Sequence, residues 1–306
     1  MKRWILIRGI LMVMVSALLL FACNRYVRYF GTETLRIRNK DQIITSIRHG
    51  LREHSSCITI RFVTPNDIMD GLTAEVSEWI ETALAETDDP TEGDYIRYQY
   101  GGYEMECSVE PVGNSRSYRV DIRPKYYLYL EQEEAVTEAL AGVYPALGLD
   151  RDTSDLDKLA AIYEYVCASV TYDQVHKKNL YFHKKSTAWS ALIQHTATCQ
   201  GYSVLLYRML RDNGIKCRII TGTALGEKAE EFHAWNIAKL EGQYYYLDAT
   251  WDAGKPADTW SCFLKGSEGF ADHVPDPQFL SSAFAAEYPV SKDDACEKRR
   301  QLEKKA

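Results

Sequence analysis

Three residues have the types and spacing that nucleophilic chemistry needs: Cys199, His233 and Asp248. Thr198-Cys199-Gln200-Gly201-Tyr202 opens a segment in which Val204, Leu205, Leu206, Met209 and Leu210 recur at helical spacing, up to Asn213-Gly214. Thr198 reads as the N-cap, which sets Cys199 at the first helical position. A thiol there feels the positive end of the helix dipole and unpaired N–H groups, and both favour the nucleophilic thiolate. Taken alone, a cysteine at a helix start is more often a packing residue. A hairpin adds the partners. His233-Ala-Trp-Asn-Ile-Ala-Lys-Leu240 and Gln243-Tyr-Tyr-Tyr-Leu-Asp248-Ala-Thr-Trp251 are joined by Glu241-Gly242. A two-residue turn pairs Leu240 with Gln243 and, counting outward, Trp235 with Asp248 and His233 with Thr250. Side chains alternate faces, so His233 and Asp248 share one as diagonal neighbours, roughly 7–8 Å apart along the backbone. The carboxylate can then hold the imidazole in the tautomer that leaves its other nitrogen for the thiol. A slip of one residue would put the pair on opposite faces. Singly, His233 reads as a satisfied strand histidine and Asp248 as a turn carboxylate; jointly with Cys199 they form a nucleophile, a base and an orienter.

Elements must carry these residues. Residues 41–53 place Ile43, Ile44, Ile47 and Leu51 at helical spacing, 57–63 alternate as a strand, and 68–84 are helical again. Residues 95–112 and 117–130 alternate around Gly113-Asn114, which predicts a strand pair with a turn. Together they make a small α+β module over 35–130. Its Tyr126, Tyr127 and Tyr129 read as half-buried strand residues, with a tyrosine-lined peptide or glycan groove as the alternative. Helices over 132–144, 154–170, 187–193 and 199–213, then strands over 215–221, 233–240 and 244–251, make a second domain spanning 131–290. Residues 291–306 are a charged tail, and no internal repeat is present.

The first residues address the chain. Lys2, Arg3 and Arg8 precede an apolar run over 10–22, which reads as a signal peptide over 1–22 and is shorter than the ~20 apolar residues of a spanning helix. Leu20-Phe21-Ala22-Cys23 resembles the lipobox of bacterial lipoproteins, in which the cysteine is lipidated, although Phe21 stands where that pattern has a small or β-branched residue. Counting 4–21 as one segment gives an uncleaved anchor instead. Residues 23–34 read as a tether. Either way the bulk of the chain is expected outside the cytoplasmic membrane and anchored to it. Lys and Arg total 36 against 43 Asp and Glu, a net charge of −7, and this acidic balance argues against nucleic acid. Of the eight cysteines, Cys167 and Cys217 sit in apolar-periodic segments and read as small buried residues. Cys57 with Cys107 is the one disulfide bridge expected.

Cys199-Gln-Gly-Tyr-Ser, Asn213-Gly-Ile, His233-Ala-Trp-Asn and Tyr245-Tyr-Leu-Asp248-Ala-Thr-Trp251-Asp252 together resemble the core of the transglutaminase-like superfamily. Upstream, Tyr163-Glu-Tyr-Val-Cys-Ala-Ser-Val-Thr-Tyr172-Asp173 and Ala188-Trp189-Ser-Ala-Leu192 join the match, which covers roughly 150–280. The resemblance implies an α+β, papain-like fold in which a helix carrying the cysteine packs on an antiparallel sheet carrying the histidine and aspartate. It also implies a thioacyl mechanism, with Cys199 attacking an amide carbonyl, His233 shuttling the proton and Asp248 orienting His233. The Cys199 N–H is one oxyanion donor. Gln194, five residues upstream, is a second candidate, against an ordinary exposed helix end. Trp235 and Trp251 wall the acyl site or pack the core equally well. His273 reads as structural. The spacing of Asp248, Asp252 and Asp258 fits no calcium loop, with Pro256 interrupting it, and reads as solvated turn carboxylates. No zinc spacing and no phosphate loop occur, so no metal and no cofactor are expected. The expected function is extracytoplasmic, cysteine-dependent amide hydrolysis or acyl transfer on peptide or protein substrates, cell-wall peptides among them. The alternative is a catalytically inactive surface binding or scaffold lipoprotein.

Overall fold

The structure is a computed structural model, and it describes residues 33–36, 39–225 and 230–295. Its elements form two compact units, one built from the described residues up to Ala85 together with Tyr100–Tyr126, the other from Glu86–Gln99 and the described residues from Tyr127 onward.

The first unit is a four-stranded sheet with two helices. Strand β1 (Glu33–Arg36) runs parallel to β2 (Ile58–Thr64), and β4 (Ser115–Tyr126) lies antiparallel between β2 and β3 (Tyr100–Val112). Asn39 caps α1 (Lys40–Arg52) by accepting from the Gln42 N–H at 3.0 Å. Ile43, Ile47 and Leu51 of α1 and Val76, Trp79 and Ile80 of α2 (Leu72–Ala83) are buried, as are alternate residues of the sheet, Ile58 and Ile60 of β2 and Tyr118, Val120 and Ile122 of β4. Strand order corrects the expected disulfide. Cys57 and Cys107 are both free, because Cys57 leads into β2, Cys107 lies on β3, and β4 runs between these strands. Two strand spacings come to roughly 9.6 Å, beyond the ~7 Å that a disulfide spans between Cα atoms.

Residues 86–99 also depart from expectation. They group with the second unit, and Asp94–Arg97 form a helical turn, α3, where a strand was expected. Asp94 explains it: the side chain is buried and accepts from the Ile219 N–H at 2.8 Å and from Arg218 Nε at 2.8 Å. These tertiary bonds override the local alternation.

In the second unit, α7 (Cys199–Asp212) is buried on nearly every side from Cys199 to Leu210, as a helix at the centre of a core must be. On one side it meets α5 (Asp155–Ser169) and α6 (Ala188–Ile193), with α4 (Leu130–Ala146) packed on α6; on the other it meets a sheet ordered β10-β7-β8-β9. That sheet is antiparallel and comprises β7 (Cys217–Leu225), β8 (Glu230–Leu240), β9 (Gln243–Leu247) and β10 (His273–Pro275). A short parallel pair, β5 (Thr171–Tyr172) with β6 (Thr196–Ala197), lies just before Cys199, and α8 (Ser282–Glu287) follows β10. The unit is a mixed helix-and-sheet fold of the cysteine-helix-on-sheet kind.

Among the described residues no helix is long and apolar enough to cross a membrane. The expected signal segment 1–22, Cys23 and most of the tether lie outside the described residues, as do 296–306 of the tail; residues 33–34, expected in the tether, begin β1.

Candidate active site

Cys199 begins α7, with Thr198 as N-cap in extended geometry (φ −84°, ψ 175°). The Thr198 hydroxyl does not cap the helix as expected. It donates back to the Lys185 carbonyl at 3.3 Å and meets Ser186 Oγ at 3.1 Å, while the Thr198 N–H donates to the same carbonyl at 2.8 Å. The helix start is thus held against the 185–187 segment, and Gly201 makes room for it: a Cβ there would lie 3.1 Å from both the Lys185 and Thr187 oxygens.

The hairpin register is the expected one. Leu240 faces Gln243 and Asn236 faces Leu247, with Glu241 (φ 48°) and Gly242 (φ 93°) in the turn, the two positive φ values of a two-residue hairpin. The ladder ends at Leu247. Asp248 instead donates its N–H to the Cys262 carbonyl at 3.1 Å and folds its carboxylate back over the next turn, where Oδ1 accepts from the N–H groups of Thr250 (2.9 Å) and Trp251 (3.3 Å).

Asp248 Oδ2 lies 2.7 Å from His233 Nε2. That leaves Nδ1 for the other partner of His233, the Cys199 thiol. Asp248 is 1% exposed and His233 6%. Burial opposes charge on His233, but the Asp248 carboxylate, their hydrogen bond and Cys199 outweigh it and raise the imidazole to about 10. Burial would likewise neutralise Asp248, yet His233 and His273 hold it far below the usual carboxylate range.

His273, read from the sequence as structural, stands in the same cluster. Its Nε2 is 3.0 Å from the same Asp248 Oδ2 and its Nδ1 is 2.8 Å from Asp272 Oδ1. Phe270 stacks on the His273 ring at 3.8 Å, and Trp251 lies 4.3 Å from His273 and 5.7 Å from His233. The sequence signal was faint: a lone histidine after an aromatic-rich turn, on a three-residue strand without periodicity.

The remaining candidates divide. Trp235 is fully buried, 6.0 Å from the His233 ring and 5.0 Å from His273, and so walls the imidazole pair. Gln194 sits exposed at the C-cap of α6, where the helix stops and His195 turns the chain (φ 53°). Asp252 is not solvated. It is buried, accepts from the Ser261 and Cys262 N–H groups at 2.9 Å each, and shares the Tyr163 hydroxyl (2.9 Å) with the Asp248 carbonyl (2.8 Å), so it clamps the loop that carries Asp248.

Among the described residues His233, Asp248 and His273 form the one trio whose ligand atoms lie close enough together, within 4.8 Å, to hold a metal ion. An ion there would displace the hydrogen bonds that orient His233. As it stands, the arrangement couples a thiol at a helix start to an imidazole and a buried carboxylate, which is the equipment of acyl transfer through a thioester.

Residues 146–249 match the sequence model of the transglutaminase-like superfamily. The chain is similar to kyphoscoliosis peptidase from Mus musculus, 31% identical over 120 residues (36% of this chain, 18% of the relative), and from Homo sapiens, 29% identical over 145 residues (42% and 22%). The match thus spans about a fifth of the length of these relatives. A solved transglutaminase covers 69% of this chain and 55% of its own, at 16% identity and a TM-score of 0.36.

Proposed function

Starting from residues 146–249 as a domain of the transglutaminase-like superfamily, we propose that this chain is a cysteine-dependent amide hydrolase or acyltransferase acting on peptide or protein substrates outside the cytoplasmic membrane. The observation that carries the proposal is the 2.7 Å contact of His233 Nε2 with a buried Asp248, with the other nitrogen left for a thiol at the first turn of α7. In this reading Cys199 Sγ attacks the amide carbon, and the C=O becomes an oxyanion that accepts from the Cys199 N–H. Protonated His233 gives its proton to the leaving nitrogen as the C–N bond breaks, which leaves a thioester and a neutral imidazole. Water then attacks the thioester carbon and His233 takes its proton. Collapse breaks the C–S bond and releases the acid, leaving the Cys199 thiolate beside the imidazolium that the last step formed. Asp248 stays ionised and keeps the ring oriented.

Water needs no binding site of its own, so hydrolysis is favoured over transfer to an amine. The peptidase names of the mammalian relatives support the same direction. The residues before 33 supply the address in this proposal: a signal segment over 1–22, with Cys23 lipidated or the segment kept as an anchor, brings the domain to surface peptides such as those of the cell wall.

The test is mass spectrometry of a glutamine-containing peptide mixture, with and without a primary amine, incubated with the full chain or with Cys199→Ala. Cleaved, deamidated or amine-adducted peptides that need Cys199 support the proposal and name the reaction. The same peptides unchanged by both proteins, and likewise isolated wall peptides, would overturn it in favour of a binding protein.

A further inference from the structure

We propose that His273 is a positioning residue for the Cys199–His233–Asp248 set, a role that rests on the function proposed above. The argument starts from the four hydrogen-bond sites of one buried carboxylate. Oδ1 of Asp248 takes the Thr250 and Trp251 N–H groups, and Oδ2 takes His233 Nε2 at 2.7 Å and His273 Nε2 at 3.0 Å. With one oxygen pinned to backbone and the other to two imidazoles, the carboxylate cannot rotate about its Cβ–Cγ bond without losing a bond it has no water to replace. His233 on its own would leave Oδ2 half satisfied and free to swing with the histidine ring. His273 is the donor that does not take part in proton transfer, so it holds Oδ2 while His233 cycles between its charged and neutral forms.

The fold spends several residues on placing that donor. Asp272 Oδ1 at 2.8 Å from Nδ1 decides which edge of the His273 ring faces Asp248. Phe270 covers one face of the ring, and Trp235 and Trp251 close the sides. Strand β10 sets His273 opposite Ala224 on β7, and this needs Gly222, where a Cβ would lie 2.1 Å from the Val274 carbonyl oxygen. The Leu225 N–H donates to the Asp272 carbonyl at 2.8 Å and completes the seat. A histidine that merely filled the core would need none of these directional contacts.

The experiment measures the rate at which iodoacetamide alkylates Cys199 in the full chain, read by mass spectrometry of the Cys199 peptide between about pH 5 and 9. Parent, His273→Gln and His273→Leu are compared after circular dichroism shows that each is folded. Glutamine keeps an N–H donor and leucine fills space without one. The proposal expects H273L to lose about tenfold in rate near neutral pH and to acquire the pH profile of an ordinary thiol, the size typical when a partner that orients a reactive group is removed. H273Q keeps most of the parent rate. A folded H273L with the parent profile, or H273Q and H273L impaired alike, overturns the positioning role. If H273L does not fold, Asp272→Ala decides: a reduced rate supports the role, and an unchanged profile overturns it. A parent Cys199 that reacts no faster than free glutathione overturns the underlying function and this role with it, whereas a fast parent with an indifferent H273L overturns this role alone.

Discussion

Two buried ionic clusters sit on the same sheet, towards opposite ends of β7, and only one has the means to do chemistry. At the Arg218 end, Asp94 is held by Arg218 through Nε at 2.8 Å and a terminal nitrogen at 3.2 Å, and Glu86 accepts from Tyr207 Oη at 2.7 Å. The guanidinium lies 4.7 Å from the Tyr288 ring centre. At the other end, Asp248 is held by two imidazoles. Burial of charge is common to both, so burial does not mark a site. The difference is in the cation. A guanidinium stays protonated throughout and makes a fixed bidentate clasp, whereas an imidazole gives up and regains a proton. The first cluster ties residues 86–99 to β7; the second can serve a thiol.

Mutations should separate the clusters by what they lose. The largest effect is expected from Cys199→Ala, which should abolish product formation in the peptide assay while the melting temperature stays within a few degrees of the parent. Asp248→Asn should follow, with kcat/KM reduced by about 10⁴ because the amide presents the wrong hydrogen-bond pattern to His233; turnover and melting measured together would show activity lost ahead of stability. Arg218→Met should reverse that order. It leaves Asp94 buried without its cation, at about 3–5 kcal/mol, and denaturant unfolding should reveal the loss while the folded fraction retains its activity. Gly222→Ala should cost about 1–3 kcal/mol by forcing β10 away from β7, and it should slow alkylation of Cys199 because β10 carries His273.

The smallest effect is also the sharpest comparison, since each cluster leaves its own mark on stability against pH. Glu86, which burial and then Asp94 push from 4.5 up to about 7, has a folded value above its unfolded one. Its contribution is therefore full below about pH 4.5 and lost as pH rises through about 7. His233 is also raised, from 6.5 to about 10, so its contribution is full below about 6.5 and fades towards 10. Melting curves across pH should show Glu86→Gln flattening the lower window and His233→Gln the upper one. Equal effects of both substitutions in both windows would mean that the clusters are not independent.

How far these features could be read from the amino-acid sequence depends on whether local rules governed them. The hairpin was legible because Glu241-Gly242 permits one tight turn and the turn sets the register, which delivers His233 and Asp248 to one face. The Cys199 helix was legible from its apolar spacing and Gly214. Asp94–Arg97 was not, because the turn exists for the sake of Arg218, more than a hundred residues away. The Cys57–Cys107 bridge failed on strand order, which no local pattern reveals. The surroundings of His273 and Asp252 were not legible for a shared reason: each is placed by a loop whose course depends on the other side of the core, Asp252 through Tyr163 and His273 through β7.

The central claim is that His233 is held as a cation between Asp248 and Cys199, and nuclear magnetic resonance of histidine-labelled full chain tests it most directly, with the His233 signal identified by its absence in His233→Gln. The account predicts a ring that keeps both protons through neutral pH and titrates near 10, and that titrates lower in Cys199→Ala, where one of its charge partners is gone. A His233 signal that titrates near 6.5 in both proteins would contradict it.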